Sequence, residues 1–182
     1  MPFALPVGKS VQFGPESLLD RPVLAARIAQ VASAWSLLEE GLAQTYAYLL
    51  ARQMRGSTAT GENGQNQVAG LEIFAGPETF GAKLELFRAL LRELVQERAP
   101  QLPDLLDEVV LPKVAAARNA RNRVLHGVWG SCADYPDALV LRPLSGQSQV
   151  WRERDFGNEI DLAAEAMDAL SYLRNRLYEV FL

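Results

Sequence analysis

Residues 117–130, Ala-Arg-Asn-Ala-Arg-Asn-Arg-Val-Leu-His-Gly-Val-Trp-Gly, hold the side chains of this sequence best suited to moving protons and gripping an anion. His126 is the only histidine in the chain, and Arg118, Asn119, Arg121, Asn122 and Arg123 lie just before it. Imidazole is the side chain whose unperturbed proton exchange falls near neutral pH, which suits a general acid or base. A guanidinium can clamp and neutralise a phosphate through two parallel N–H bonds.

The element that must carry these groups is a helix. Leu106, Val110, Val114, Ala117 and Val124 repeat at helical spacing, and Gly127 stands where a glycine stops a helix. His126 is therefore expected in the last turn, where the macrodipole favours a positive imidazolium. Arg121 is out of place, because continuing the stripe from Val114 and Ala117 by four lands on it. A guanidinium beside the core needs a carboxylate or an opening; Glu39, next to the stripe of the first long helix, is the expected partner, with Glu40 as the alternative. Asn122 and His126 share a face, with Arg118 one turn earlier. Arg121 and His126 are five apart, roughly 140° round a helix of about 3.6 residues per turn. They meet only if the arginine reaches round, the helix end tightens, or a second copy of the chain supplies the mate.

At 182 residues the chain has the length of one domain with its own core. Its net charge of −4 and pI near 5.1 argue against coating nucleic acid by bulk charge. The local picture differs, since Arg118, Arg121, Arg123 and Arg142 make a basic patch with no acid between residues 109 and 133. A single cysteine, Cys132, allows no internal disulfide framework and fits a cytoplasmic protein. One histidine and one cysteine cannot build a common zinc site within one chain, and no residue pattern calls for a cofactor. No apolar run of about 18 residues is present to span a membrane.

Residues 1–19 form an N-terminal extension expected to wrap the surface or lead in disordered. The remaining residues, 20–182, read as one helical-bundle domain. Asp20-Arg21-Pro22 marks a helix start, and Ile28, Val31, Trp35, Leu38, Leu42, Tyr46 and Leu49 form its stripe to about Arg55. Residues 56–66 are polar and glycine-rich, hence a loop. A short apolar piece, Val68–Phe74, precedes a second long helix over Phe80, Leu84, Phe87, Leu91 and Leu94. A third runs over 104–126. Residues 128–156 change character: Leu139-Val140-Leu141 and Gln149-Val150-Trp151 predict a hairpin about Ser145-Gly146-Gln147, Val128-Trp129 could add a strand, and Pro136 and Pro143 confine any strand to an edge. Asn158 is expected to cap a last helix with Ile160, Ala163, Met167, Leu170, Leu173, Leu177 and Phe181 on its face. The expected fold is mainly all-α: four long helices with a small β-hairpin inserted before the last.

Arg121-Asn122-Arg123-Val124-Leu125-His126, late in the third long helix, resembles the Arg-x(4–6)-His motif of the HEPN (higher eukaryotes and prokaryotes nucleotide-binding) superfamily. Asn122, a polar residue straight after the arginine, makes it similar to the ribonuclease members. The resemblance implies a four- or five-helix bundle and a metal-independent endoribonuclease whose composite site forms where two motif helices meet across a homodimer. It implies catalytic roles for Arg121, Asn122 and His126, with RNA as substrate and cyclic 2′,3′-phosphate or 3′-phosphate products. Arg118 and Arg123 are binding candidates, against a reading as solvated helix charges. Glu39 and Trp129 are supporting candidates, Trp129 by packing or by stacking on a base. A toxin or defence component held by an antitoxin protein is one setting. The competing reading is a non-catalytic dimerisation or binding module in which the motif is structural.

Overall fold

The computed structural model describes residues 1–57 and 63–181. The chain is mainly helical, with one five-stranded antiparallel sheet. Its first residues are paired rather than loose: β1 (Phe3–Ala4) and β2 (Gln12–Phe13) are strands, and α1 (Glu16–Leu19) is a single helical turn. The expectation of a disordered or wrapping extension over 1–19 is thus corrected, because both strands find backbone partners far along the sequence. Asp20 closes α1, its N–H bonded to the Glu16 carbonyl, instead of opening the next helix. That next helix, α2 (Pro22–Ser57), starts on the proline, whose fixed φ and missing N–H suit a first turn.

Of the loop expected over 56–66, residues 58–62 lie outside the described residues, and α3 (Asn63–Ala75) has begun by 63. Thr79 caps α4 (Phe80–Val95), accepting the Ala82 N–H at 3.2 Å. The expected helix over 104–126 is interrupted. α5 (Gln101–Leu105) leads into a π-turn, Leu106–Val110, before α6 (Leu111–His126). Pro112 is the physical reason, since in a regular helix its ring would meet the carbonyl four residues back. The wider turn, with Leu111 N–H bonded to Leu106 O, relieves that meeting. β3 (Val128–Ser131), β4 (Leu139–Arg142) and β5 (Gln149–Trp151) follow, then α7 (Glu153–Phe181). Asn158 does not cap α7. The start lies at Arg152, whose N–H is accepted by Asp155 Oδ2 at 2.9 Å, the acid half of a capping box.

The chain falls into two compact units, Met1–Ser36 with Val114–Glu165, and Leu37–Lys113 with Ala166–Leu182. The first holds the sheet, ordered β1-β5-β4-β3-β2. The expected hairpin is present with Val140 opposite Val150, and Val128-Trp129 does add a strand. The edge assignment fails, because β4 is the middle strand; Pro136 and Pro143 both fall outside the strands. Alternation then sorts the side chains. Trp129, Leu139, Leu141 and Trp151 join Leu24, Val31, Val124 and Phe156 from the helices in one core. Val140, Val150, Ala138 and Cys132 face the other way, covered by Leu5, Val11, Phe13 and Tyr135.

In the second unit Phe87, Leu91 and Val95 of α4 are fully buried. Gly70 lets α3 come against α2, since a Cβ there would stand 2.7 Å from the Ala47 Cα. Tyr46 and Phe74 pack with ring centroids 5.3 Å apart beside it. No described helix is long and apolar enough to cross a membrane.

Candidate functional site at the end of α6

One side of α6 is committed to the core: Ala117, Ala120 and Val124 are buried. Arg118, Asn119, Arg123 and His126 are exposed, and Arg121 and Asn122 are half-buried between the two sides. His126 is the last residue of the helix, as its spacing predicts. Gly127 follows but does not take the left-handed conformation of a helix-stop glycine; the described glycines with positive φ are Gly8, Gly14 and Gly146. Its missing side chain serves a close approach instead. A Cβ on Gly127 would stand 2.1 Å from Leu141 Cδ1 and 3.3 Å from the Arg142 carbonyl oxygen. The helix end is thereby pressed onto β4.

Trp129 fastens that end. Its Nε1–H donates to the Val124 carbonyl at 2.9 Å, satisfying one of the carbonyls that a last helical turn leaves open. The ring is buried, edge-on to Trp151 at 5.7 Å. It supports the site through packing, and its burial removes it from stacking on a base.

Arg121 reaches round the helix. Its Nη1 lies 3.0 Å from Asn122 Oδ1 and 3.0 Å from His126 Nε2. One chain therefore gathers all three residues, and the second copy invoked to close the 140° gap is not needed for that purpose. A guanidinium only donates, so the atoms facing it are acceptors: the Asn122 carboxamide oxygen and an unprotonated Nε2. In this contact the imidazole is the neutral Nδ1–H tautomer, and the Asn122 amino group is turned away from Arg121. The Arg121 Nε is buried and has no hydrogen-bond partner among the described residues. Glu39, its expected partner, is paired with Lys83 at 2.9 Å, and Glu40 accepts from Gln44. Sequence position put Glu39 beside the right stripe but could not show a lysine 44 residues on.

Arg123 is half-exposed, and its Nη2 donates to Glu159 Oε2 at 2.7 Å. The expected phosphate ligand is thus engaged as a tie from α6 to the first turns of α7. Arg118 keeps its place on the exposed side of α6, one turn before Asn122.

His126 and Asn122 open onto a cleft of about 670 Å³. Asn119, Asn122, Arg123 and His126 of α6 line it together with Leu141, Gln149 and the turn over 143–147. No carboxylate lines it among the described residues. Gln149 was not foreseen, although period-two alternation puts it on the face of Trp151, and its Oε1 accepts from Trp151 Nε1 at 3.2 Å. No known family model, curated protein or solved structure matches the chain. A cleft of similar size, about 700 Å³, lies in the second unit among Arg52, Glu93, Glu97 and Arg98. It mixes charges of both signs and, among the described residues, offers no histidine, cysteine or hydroxyl. Among the described residues no group of three or more His, Cys, Asp or Glu gathers as a metal site.

Proposed function

We propose that the chain is a HEPN-like, metal-independent endoribonuclease, with a composite site formed by two copies of the α6 end. The observation that carries this reading is Arg121 bridging Asn122 and His126, two residues that line a cleft with no carboxylate among the described residues. With Nε2 held by Arg121, its lone pair is occupied until an anion arrives. An RNA phosphate entering the cleft takes the guanidinium in a charge-assisted clamp, which frees the Nε2 lone pair. Nε2 then accepts the 2′-hydroxyl proton as O2′ attacks phosphorus. Arg121 and the Asn122 amino group stabilise the charge on the phosphorane. The 5′-oxygen leaves with a proton from a second donor, giving a 2′,3′-cyclic phosphate and a 5′-hydroxyl. The chain has one histidine, and the described cleft lining holds no carboxylate. We assign the second donor to His126 of a second copy, which makes the homodimer part of the mechanism. A toxin or defence role in the cytoplasm, silenced by an antitoxin protein, belongs to the same proposal.

One observation favours a different class of function. Nε2 is occupied by Arg121, and Arg123 is neutralised by Glu159, as in a helix end locked for structure in a non-catalytic dimerisation or binding module.

RNA cleavage in EDTA by the purified chain, His126→Ala and Arg121→Ala separates the two. Cleavage by the wild type that disappears in both folded variants supports the nuclease. Absence of cleavage, with Arg121→Ala losing several degrees of melting temperature, supports the module. Light scattering tests the dimer, which requires twice the 20.1 kDa monomer mass; a monomer at micromolar concentration removes the composite site.

A further inference from the structure

Two donor-only groups stand behind the cleft and set the polarity of what faces it. Arg121 holds the oxygen of Asn122 and the Nε2 of His126, and the indole of Trp151 holds the oxygen of Gln149. Neither guanidinium nor indole N–H can accept, so all three orientations follow from chemistry. What these groups leave toward a ligand is the Asn122 amino group, the His126 Nδ1–H and the Gln149 amino group, beside Asn119, Ser145 and Gln147 of the same lining, while Arg123 is tied to Glu159. The Gln149 Nε2 has no partner among the described residues. Three donors on one lining, with no carboxylate among the described residues, fit an acceptor-rich polyanion. Leu141, opposite Gln149 in the strand register, is buried and fixes the backbone from which Gln149 reaches the cleft.

We infer that this cleft reads a nucleobase of single-stranded RNA, and that Gln149 is the residue that selects it. This rests on the ribonuclease reading for its choice of ligand. The Gln149 amino group donates, so it favours a base carrying a keto oxygen at the edge it meets, uracil or guanine. Meeting the C4 or C6 substituent, it disfavours cytosine and adenine, whose amino group at that position leaves donor facing donor. The phosphate beside that base is placed toward Asn122 and His126, which line the same cleft.

The test uses the full chain with short 2′-O-methyl oligouridylate, oligocytidylate and oligoadenylate. Blocking the 2′-hydroxyl prevents cleavage, so binding is read alone, by fluorescence anisotropy. The wild type should bind the uridylate about tenfold more tightly than the other two. Gln149→Ala should lose the preference. Gln149→Glu keeps an acceptor for Trp151, hence the fold, but turns an oxygen to the cleft; its preference should invert toward cytosine and adenine, whatever its overall affinity. Equal binding of the three by the wild type, no binding, or a preference unchanged in both variants overturns the inference. Unmodified RNA run in parallel separates the two readings. Selective binding without cleavage overturns the nuclease and leaves base reading standing, whereas cleavage without base preference does the reverse.

Discussion

Replacing Gly127 by alanine tests the contact that seats the helix end on the sheet. At a glycine with negative φ, alanine ordinarily stabilises by about 0.4–1 kcal/mol, because the unfolded chain loses freedom. Here the new Cβ would stand 2.1 Å from Leu141 Cδ1, where carbon pairs settle at about 3.5–4.0 Å. Leu141 is 1% exposed and packed among Val124, Trp129 and Trp151, so displacing its methyl disturbs that packing, and its Cγ at 3.1 Å moves with it. Overpacking of this kind costs about 1–3 kcal/mol. The clash wins, and Gly127→Ala should destabilise by about 2 kcal/mol net, a fall of roughly 4–8 °C for a chain of this length. The double-mutant cycle with Leu141→Ala makes the cause specific. Leu141→Ala alone costs about 2–5 kcal/mol, but in that background Gly127→Ala should be neutral or stabilising, a coupling of about 2 kcal/mol. Equal effects of Gly127→Ala in both backgrounds, measured by urea titration, would refute the close-approach account.

Trp129→Phe removes the donor to the Val124 carbonyl and should cost about 1–3 kcal/mol, with faster amide exchange confined to the last turn of α6; a loss below about 0.5 kcal/mol would show that water replaces the indole. Arg123→Ala leaves the buried Glu159 carboxylate alone. Breaking a buried pair costs about 3–5 kcal/mol, but this guanidinium is half-exposed and screened, so about 1–2 kcal/mol is expected in urea titration, part of it restored by Glu159→Gln in the same chain. Burial pushes the Tyr46 hydroxyl above the ordinary tyrosine range. Above about pH 10 the unfolded state then loses its proton first, so the Tyr46 contribution to stability should decline as pH rises past that point; Tyr46→Phe should flatten that part of the alkaline stability curve.

The parts of this molecule readable from sequence are those set by local rules. Pro22 starting α2, the period of Phe80, Phe87 and Leu91, His126 at a helix end and the Val140–Val150 pairing each follow from spacing within a few residues. What escaped depends on partners remote in sequence or on side-chain reach. β1 and β2 are two residues each, too short to show a period, and exist because β5 and β3 offer them backbone groups. The helix wheel set Arg121 and His126 apart because it plots Cα directions, whereas the long arginine stem crosses the gap to 3.0 Å. Glu39 went to Lys83 for a reason no pattern near either residue reveals. Gly127 was placed rightly but for the wrong property, its small volume mattering and its conformational freedom not.

The sheet also sets an order on synthesis. Its outer strands come from the first residues, yet Phe3 pairs with Val150 and Gln12 with Ser131. At about 5–20 residues per second on the ribosome, these segments wait several seconds or more for their mates to be made, while residues 37–113 of the other unit emerge in between. Val11 and Phe13, which pack on the Val140–Val150 face in the folded chain, lack that face for the whole interval. Such distant pairings are closed late because the entropy of the intervening loop must first be overcome. The α6–β3 junction, made of neighbours in sequence, can form as soon as it is translated, so the helix end carrying His126 would be in place before the strands that flank the sheet arrive.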